Sequence, residues 1–166
     1  MSQVHRLPDA RPFALDADDG DRIWFGGGTM NFKATALATD GELFLMEADM
    51  PAGFSPPLHV HHDEHEAFYI LEGEIEIVCG SERYVARAGS FAFLPRGIAH
   101  TFRVLSDGAR ALTIAVPGGI EHFFREAGSQ ADGAGSPPAS EFDVALVQSV
   151  ASRFNIEFVG PPLGPA

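Results

Sequence analysis

The sequence predicts one all-β domain, a sandwich or barrel of short strands, followed by short C-terminal helices. Of its 166 residues, 45% are hydrophobic, which is enough to fill a single core. The 18 glycines and 12 prolines favour many turns over long helices. Short apolar runs follow one another from residue 22 to residue 116, and each ends at a turn signal. Regular spacing of this kind, with no helical pattern in between, is typical of an all-β fold.

The individual strands are delimited by glycines that follow each apolar run within a few residues. Asp40-Gly41 and Glu72-Gly73 are examples, because glycine allows the backbone angles that tight turns require. The runs predict eight strands, at 23–25, 30–37, 42–50, 68–71, 75–78, 91–94, 101–105 and 111–116.

Two short helices are predicted after the strands. Residues 120–127 have helical character and stop at Gly128, which we expect in the left-handed conformation. The second helix is expected to begin at Ser140, with Asp143 three residues later as its capping-box partner. Its apolar face is expected to dock on the barrel and consists of Phe142, Leu146 and Val150.

The composition changes along the chain and predicts four segments. An irregular acidic arm precedes the strands, and a stretch rich in glycine, serine, alanine and proline separates the two helices as a flexible linker. The segments are the arm (1–20), the barrel (21–128), the linker (129–139) and a C-terminal helix and tail that pack on the barrel (140–166).

The charge and cysteine content exclude several classes of partner. The formal net charge is −12, with 11 Lys and Arg against 23 Asp and Glu, and no basic cluster is present. Such a surface repels phosphate backbones and anionic lipid, so we expect neither nucleic-acid nor membrane partners. Cys79 is the only cysteine, which excludes an internal disulfide and fits a reducing compartment. Because no signal segment or membrane span is evident, the expected location is the cytoplasm.

Four residues form a candidate metal site. His59 and His61 are two positions apart on a strand, so their side chains point to the same face. Glu66 begins an apolar run after a short turn, and His100 begins another. Each therefore lies at the end of an apolar face, as expected for a polar cluster inside an otherwise apolar barrel. Three imidazoles and one carboxylate suit a divalent transition metal ion, namely Fe, Ni, Co, Mn, Cu or Zn.

Other titratable residues near these positions have simpler interpretations. The remaining histidines are predicted to be exposed surface residues, namely His5, His62, His65 and His122. Glu64 is a rival to Glu66 because it also follows His61 closely. Glu66 is preferred, since it shares a face with the apolar residues of its run.

Two motifs around these residues resemble those of the cupin superfamily. In the first, a glycine, a His-x-His pair, a glutamate and a second glycine recur at family spacing, here as Gly53, His59, His61, Glu66 and Gly73. The second comprises Gly89, Pro95, Gly97 and His100. Its final asparagine is replaced by Val104. The resemblance implies a cupin-type double-stranded β-helix (jelly-roll barrel) in which His59, His61, Glu66 and His100 bind one metal ion.

Further stretches resemble the bacterial quercetin 2,3-dioxygenase-like group, namely residues 66–74, 117–124 and 158–162. This resemblance implies a metal-dependent dioxygenase that acts on a flavonol-like or other enolic or phenolic small molecule. Glu66 would be the catalytic base that accepts the hydroxyl proton. Phe68, Phe102 and Met46 are expected to form an apolar wall against the substrate, although filling the barrel is an equally good reason for their presence.

Two other functions stay open at this point. The same four residues could serve an isomerase, cyclase or lyase that does not use O₂, with Glu66 moving a proton. A non-catalytic small-molecule-binding cupin is the other alternative. Because cupins commonly pair, we also expect a homodimer, formed by the strands around Trp24 and Phe32, whose apolar edges need covering.

Overall fold

The computed structural model describes residues 10–131 and 143–164 of the chain. In these residues the strands form two antiparallel sheets that face each other across one hydrophobic core. The seven-stranded sheet has the spatial order β11 (Ser129–Gln130), β1 (Asp21–Phe25), β2 (Gly28–Ala34), β3 (Phe44–Pro51), β10 (Gly108–Val116), β5 (His65–Glu72) and β8 (Phe91–Leu94). The five-stranded sheet has the order β12 (Ile156–Gly160), β4 (Leu58–His61), β9 (His100–Val104), β6 (Glu74–Cys79) and β7 (Glu82–Arg87).

This architecture confirms the predicted all-β jelly-roll, with one correction. The two sheets do not close into a barrel, because no strand pairing between described residues joins one sheet to the other. Side chains alternate along the strands, and the inward set makes the core. The largest fully buried apolar side chains are Phe32, Phe44, Ile70, Ile75, Ile77 and Leu94.

Three strands are not predicted by the sequence, and one predicted strand is too long. Strand β11 lies in the first two residues of the expected linker and pairs with β1. Strand β7 is mostly exposed, so its sequence lacks an apolar run. Strand β12 lies in the tail, which was expected only to pack on the sheets, yet it pairs with β4. The run 30–37 leaves the strand conformation after Ala34. There the Thr35 hydroxyl caps a short helix, α1 (Ala36–Thr39), by accepting the N–H of Ala38 at 3.4 Å.

The first predicted C-terminal helix is present as α2 (Glu121–Ala127), but its end differs from the expectation. Gly128 is extended, with φ −98°, and not left-handed. The physical reason for glycine is close packing. A Cβ at this position would lie 2.8 Å from the carbonyl oxygens of Phe124 and Trp24.

The second predicted helix is α3 (Val144–Ala151), followed by a 3₁₀ turn at Ser152–Phe154. Asp143 is its N-cap and not a capping-box partner, because its carboxylate accepts the N–H of Leu146 at 3.0 Å. Ser140 and Phe142 lie outside the described residues. The buried face contains Val147, Val150 and Ala151, whereas Leu146 is half exposed, so the predicted face is wrong at that position.

The proposed dimer surface needs a similar correction. Phe32 is only 2% exposed and packs edge-on against Phe44, so it belongs to the core and cannot contact a second copy. Trp24 is half-buried, and its strand β1 is paired with β11 on its outer side. The homodimer stays a prediction. None of the helices in the described part of the chain has the length and apolar character of a membrane-spanning helix.

Candidate metal centre

The four sequence-predicted ligands lie together between the two sheets. One nitrogen or oxygen atom from each of His59, His61, Glu66 and His100 lies within 4.8 Å of the others, and all four side chains are buried. The histidines come from β4 and β9 of the five-stranded sheet, while Glu66 comes from β5 of the seven-stranded sheet. The cluster therefore connects the inner faces of the two sheets.

The histidines are positioned by strand pairing. His59 and His100 are register partners across β4 and β9, and their ring centroids are 4.5 Å apart. His61 follows on the same face of β4, with its ring 4.9 Å from that of His59. The loop before β9 is held close to β4, because the N–H of Gly97 donates to the carbonyl of His61 at 2.8 Å. Gly97 has φ +79°, which glycine adopts readily.

Each imidazole is oriented by a hydrogen bond on its outer nitrogen. Nδ1 of His59 donates to the carbonyl of Pro57 at 2.7 Å, and Nδ1 of His100 donates to the carbonyl of Ile98 at 3.0 Å. Nδ1 of His61 donates to the Glu64 carboxylate at 2.6 Å. With Nδ1 protonated in all three rings, Nε2 is the nitrogen that faces the cluster. Outer hydrogen bonds of this kind are typical of histidines that bind metal ions.

Glu64 is the site residue whose role the sequence reasoning missed. The sequence suggests Glu64 only as a rival ligand, and the cluster instead contains Glu66. Glu64 is nevertheless buried, at 7% exposure, and its carboxylate accepts a hydrogen bond from His61 Nδ1–H, which offsets the cost of burial. Its position three residues after His61, in the turn between two strands, is the signal that could have indicated this contact.

The protonation states of Glu66 and His59 suit metal binding, whereas His100 must release its Nε2 proton before it can bind a metal ion. Burial raises the pKa of Glu66, but the hydrogen bond with His100 and the charges of the imidazoles outweigh it and lower the pKa to about 2. Burial, with the charges of His100 and His61, lowers the pKa of His59 to about 3. For His100, burial acts to lower the pKa, yet the hydrogen bond and charge of Glu66 raise it. At neutral pH Glu66 is a carboxylate and His59 a neutral imidazole, the forms that ligate metals.

The other histidines of the described residues do not join the cluster. His62 is exposed and lies 3.0 Å from Glu157. His65 begins β5, where its Nδ1 accepts the N–H of Arg96 at 3.2 Å. His122 is exposed on α2. His5 lies outside the described residues.

A cavity of about 70 Å³ adjoins the cluster and extends between the two sheets towards α2, α3 and β12. Met46, Phe68 and Phe102, the residues expected to form an apolar wall, all line it. Among the described residues, its lining includes no lysine or arginine, and apart from the cluster residues its only polar side chain is that of Thr113. The cluster therefore faces a small, almost entirely apolar space in which no lysine or arginine of the described residues could pair with an anionic ligand.

Comparison with known proteins agrees with this fold. Residues 46–117 match the family described as the cupin domain, and the match includes all four cluster residues. The chain therefore carries a cupin domain. Among solved structures, KdgF from a Halomonas species superimposes with a TM-score of 0.58 at 14% identity, covering 67% of this chain and 99% of that one. At this identity the likeness concerns the fold alone.

Within the cupins, the chain resembles the quercetin 2,3-dioxygenases. It is 32% identical over 144 residues to the quercetin 2,3-dioxygenase of Bacillus subtilis (strain 168), covering 86% of this chain and 42% of that protein. It is 28% identical over 78 residues to the quercetin 2,3-dioxygenase of Aspergillus japonicus, covering 44% of this chain and 22% of that protein. The chain thus spans less than half the length of these two relatives.

Proposed function

We propose that this protein is a metal-dependent dioxygenase that acts on a neutral enolic or phenolic small molecule. The observation that carries the proposal is the buried cluster of three imidazoles and one carboxylate facing an apolar cavity without cationic side chains. The similarity to quercetin 2,3-dioxygenases supports the reaction class. The substrate class rests on the lining of the cavity.

The donor set fits a divalent first-row transition metal ion. His59, His61 and His100 would hold it through Nε2, and Glu66 through a carboxylate oxygen. Imidazole-rich sites accept Fe, Ni, Co, Mn, Cu or Zn, so the residues do not select one of these metals. When bound, the ion would supply positive charge that stabilises an enolate, together with redox chemistry where the metal allows it.

Glu66 is the residue best placed to move a proton. Its carboxylate is ionised at neutral pH, lies at the cavity wall and is hydrogen-bonded to His100 at 3.1 Å. A substrate hydroxyl in the cavity could therefore give its proton to Glu66, as general-base catalysis requires. O₂ is the oxidant in the proposed reaction, and both of its atoms enter the products.

Met46, Phe68 and Phe102 are proposed to contact the substrate. Their side chains present an apolar surface on both sheets, and flat rings suit a planar ligand. A phosphate or an additional carboxylate placed away from the metal ion would be buried without a cationic side chain nearby, which is costly. The cavity is also small for a drug-sized ligand, which typically occupies about 300–1,000 Å³. We therefore favour a compact, single-ring or β-dicarbonyl enol over a three-ring flavonol.

Oxygen consumption tests this proposal. The purified protein is loaded separately with Fe²⁺, Ni²⁺, Mn²⁺ or Co²⁺ and mixed with pentane-2,4-dione, catechol or 3-hydroxyflavone in an oxygen electrode. We expect one O₂ to be consumed for each molecule of a compact enol that disappears. Turnover under anaerobic conditions, with no O₂ uptake for any enol, would instead favour an isomerase, cyclase or lyase that uses the same Glu66. Binding without turnover would favour a non-catalytic role.

A further inference from the structure

Thr113 is a buried polar residue on the cavity wall that the proposed chemistry does not yet use. It lies on β10, the central strand of the seven-stranded sheet, and is 3% exposed. Its register partners are Met46 on β3 and Phe68 on β5, which are both cavity residues. Thr113 thus occupies the middle of the wall that was expected to contact the substrate.

The Thr113 hydroxyl makes no hydrogen bond to any other described residue. Thr101, which is buried to a similar degree, shows the usual situation, since its hydroxyl donates to the carbonyl of Pro56 at 2.7 Å. A hydroxyl on a cavity wall that has no protein partner keeps its hydrogen-bonding capacity for a ligand, because most polar groups inside proteins are paired. The other inward residues of β10 are Ala109, Ala111 and Ala115, so the hydroxyl is the one polar feature of this strand's inner face.

Sheet geometry relates this hydroxyl to the proposed base. Glu66 is the register partner of Ala115, and Phe68 is the partner of Thr113. Thr113 and Glu66 are therefore diagonal neighbours on the same inner face, a relation in which the residues are about 7–8 Å apart. A single substituted ring can extend across this distance, with its reacting hydroxyl at Glu66 and another polar substituent at Thr113.

We propose that Thr113 is a specificity-determining residue, whose hydroxyl hydrogen-bonds to a polar group of the substrate remote from the reacting enol. This proposal rests on the proposed function, because it assumes an enolic ligand beside Glu66. It narrows the substrate class to neutral enols that carry one further hydrogen-bonding group. Purely apolar analogues of the same size are bound less tightly.

Two pyranones differing in one group test the proposal without relying on turnover. Kojic acid and allomaltol share an enol with an adjacent carbonyl, but kojic acid has a hydroxymethyl group where allomaltol has a methyl group. The protein is loaded with Zn²⁺, and the Kd of each probe is measured by calorimetry. We expect the wild type to bind kojic acid about 3–10-fold more tightly, the worth of one net hydrogen bond.

The variants Thr113→Val and Thr113→Ser separate the hydroxyl from the packing. Thr113→Val should abolish the preference for kojic acid while leaving the Kd of allomaltol unchanged, and Thr113→Ser should retain the preference. Because the removed hydroxyl has no protein partner, we also expect Thr113→Val to melt no lower than the wild type. Valine suits a central strand, and the serine variant provides a second comparison.

The outcomes distinguish the two proposals. Equal affinity of the wild type for both probes, or an equal loss for both probes in Thr113→Val, would overturn the role of Thr113 and leave the proposed enol site intact. If the zinc-loaded wild type bound neither probe, the proposed function would fail, and the role of Thr113 with it. Zinc content is measured for all three proteins, so that a loss of metal is not mistaken for a loss of the hydrogen bond.

Discussion

The two sheets contribute to the site in different ways. The five-stranded sheet supplies three imidazoles, and each is fixed by a hydrogen bond from its outer nitrogen to the carbonyl of Pro57, the carboxylate of Glu64 or the carbonyl of Ile98. The seven-stranded sheet supplies Glu66, whose hydrogen bond is to the cluster itself, and Thr113, which lines the cavity. The five-stranded sheet thus supplies three of the four candidate ligands, whereas the seven-stranded sheet supplies the fourth, Glu66, together with the polar groups proposed to meet a substrate.

This difference has a physical basis in what each role requires. A metal ligand works best when its orientation and tautomer are set in advance, because less freedom is then lost on binding. A base or a specificity-determining group must keep capacity for a partner that arrives with the substrate. The predictions below test this division between the sheets, in order of decreasing effect.

Substitution of Glu66, on the seven-stranded sheet, is expected to have the largest effect, a loss of catalytic rate. Glu66→Gln keeps the shape of the side chain but removes its ability to accept a proton, so kcat should fall by about 10²–10⁴-fold. The rate is measured by O₂ uptake and expressed per bound metal ion, which separates chemistry from metal loss. Glu72→Gln, on the exposed end of the same strand, is the matched control. Full activity of metal-loaded Glu66→Gln would show that this sheet does not supply the base.

The second prediction concerns β12, the C-terminal strand that forms one edge of the five-stranded sheet. Ile156 on β12 is buried and is the register partner of His61. Truncation in Ile156→Ala should reduce the free energy of unfolding by about 2–5 kcal/mol, as measured by urea denaturation. The control Val159→Ala, at a half-exposed position of the same strand, should change it by less than about 0.5 kcal/mol. Equal effects of the two variants would mean that β12 adds little to the sheet.

Weakening the outer hydrogen bond of His61 is expected to have a smaller effect, a loss of metal affinity. Glu64→Gln weakens the acceptor for His61 Nδ1 and should lower metal affinity by about 10–100-fold, measured by competition with a chelating dye. Glu157→Gln is a close control, because Glu157 contacts the neighbouring but exposed His62. An unchanged affinity in Glu64→Gln would indicate that the imidazoles do not depend on these outer contacts for their orientation.

The sequence predicts the cluster well, because the information that determines it is local. The alternation of side chains along a strand places His59 and His61 on one face, and the motif spacing selects Glu66 over Glu64. The substitution of asparagine by Val104 does not disturb the cluster, since Val104 is buried in the core at the far end of β9. The turn glycines are likewise predictable, as Gly73 and Gly97 both have positive φ.

The features that the sequence does not reveal depend on contacts between distant segments. Strand β12 pairs with β4 from almost a hundred residues away, and its own residues do not show a strand pattern strong enough to predict it. The role of Thr113 becomes visible only when β3, β5 and β10 are in register and the cavity is formed. Whether two sheets close into a barrel depends similarly on their edges, which no local pattern describes.

The metal content of two neighbouring variants tests the central claim most directly. His61 belongs to the buried cluster, whereas His62, the next residue, is exposed and lies outside it. Elemental analysis of the purified proteins should show one metal ion per chain in the wild type and in His62→Ala, and most of it lost in His61→Ala. A metal content in His61→Ala equal to that of the wild type would contradict the assignment of these four residues as a metal centre.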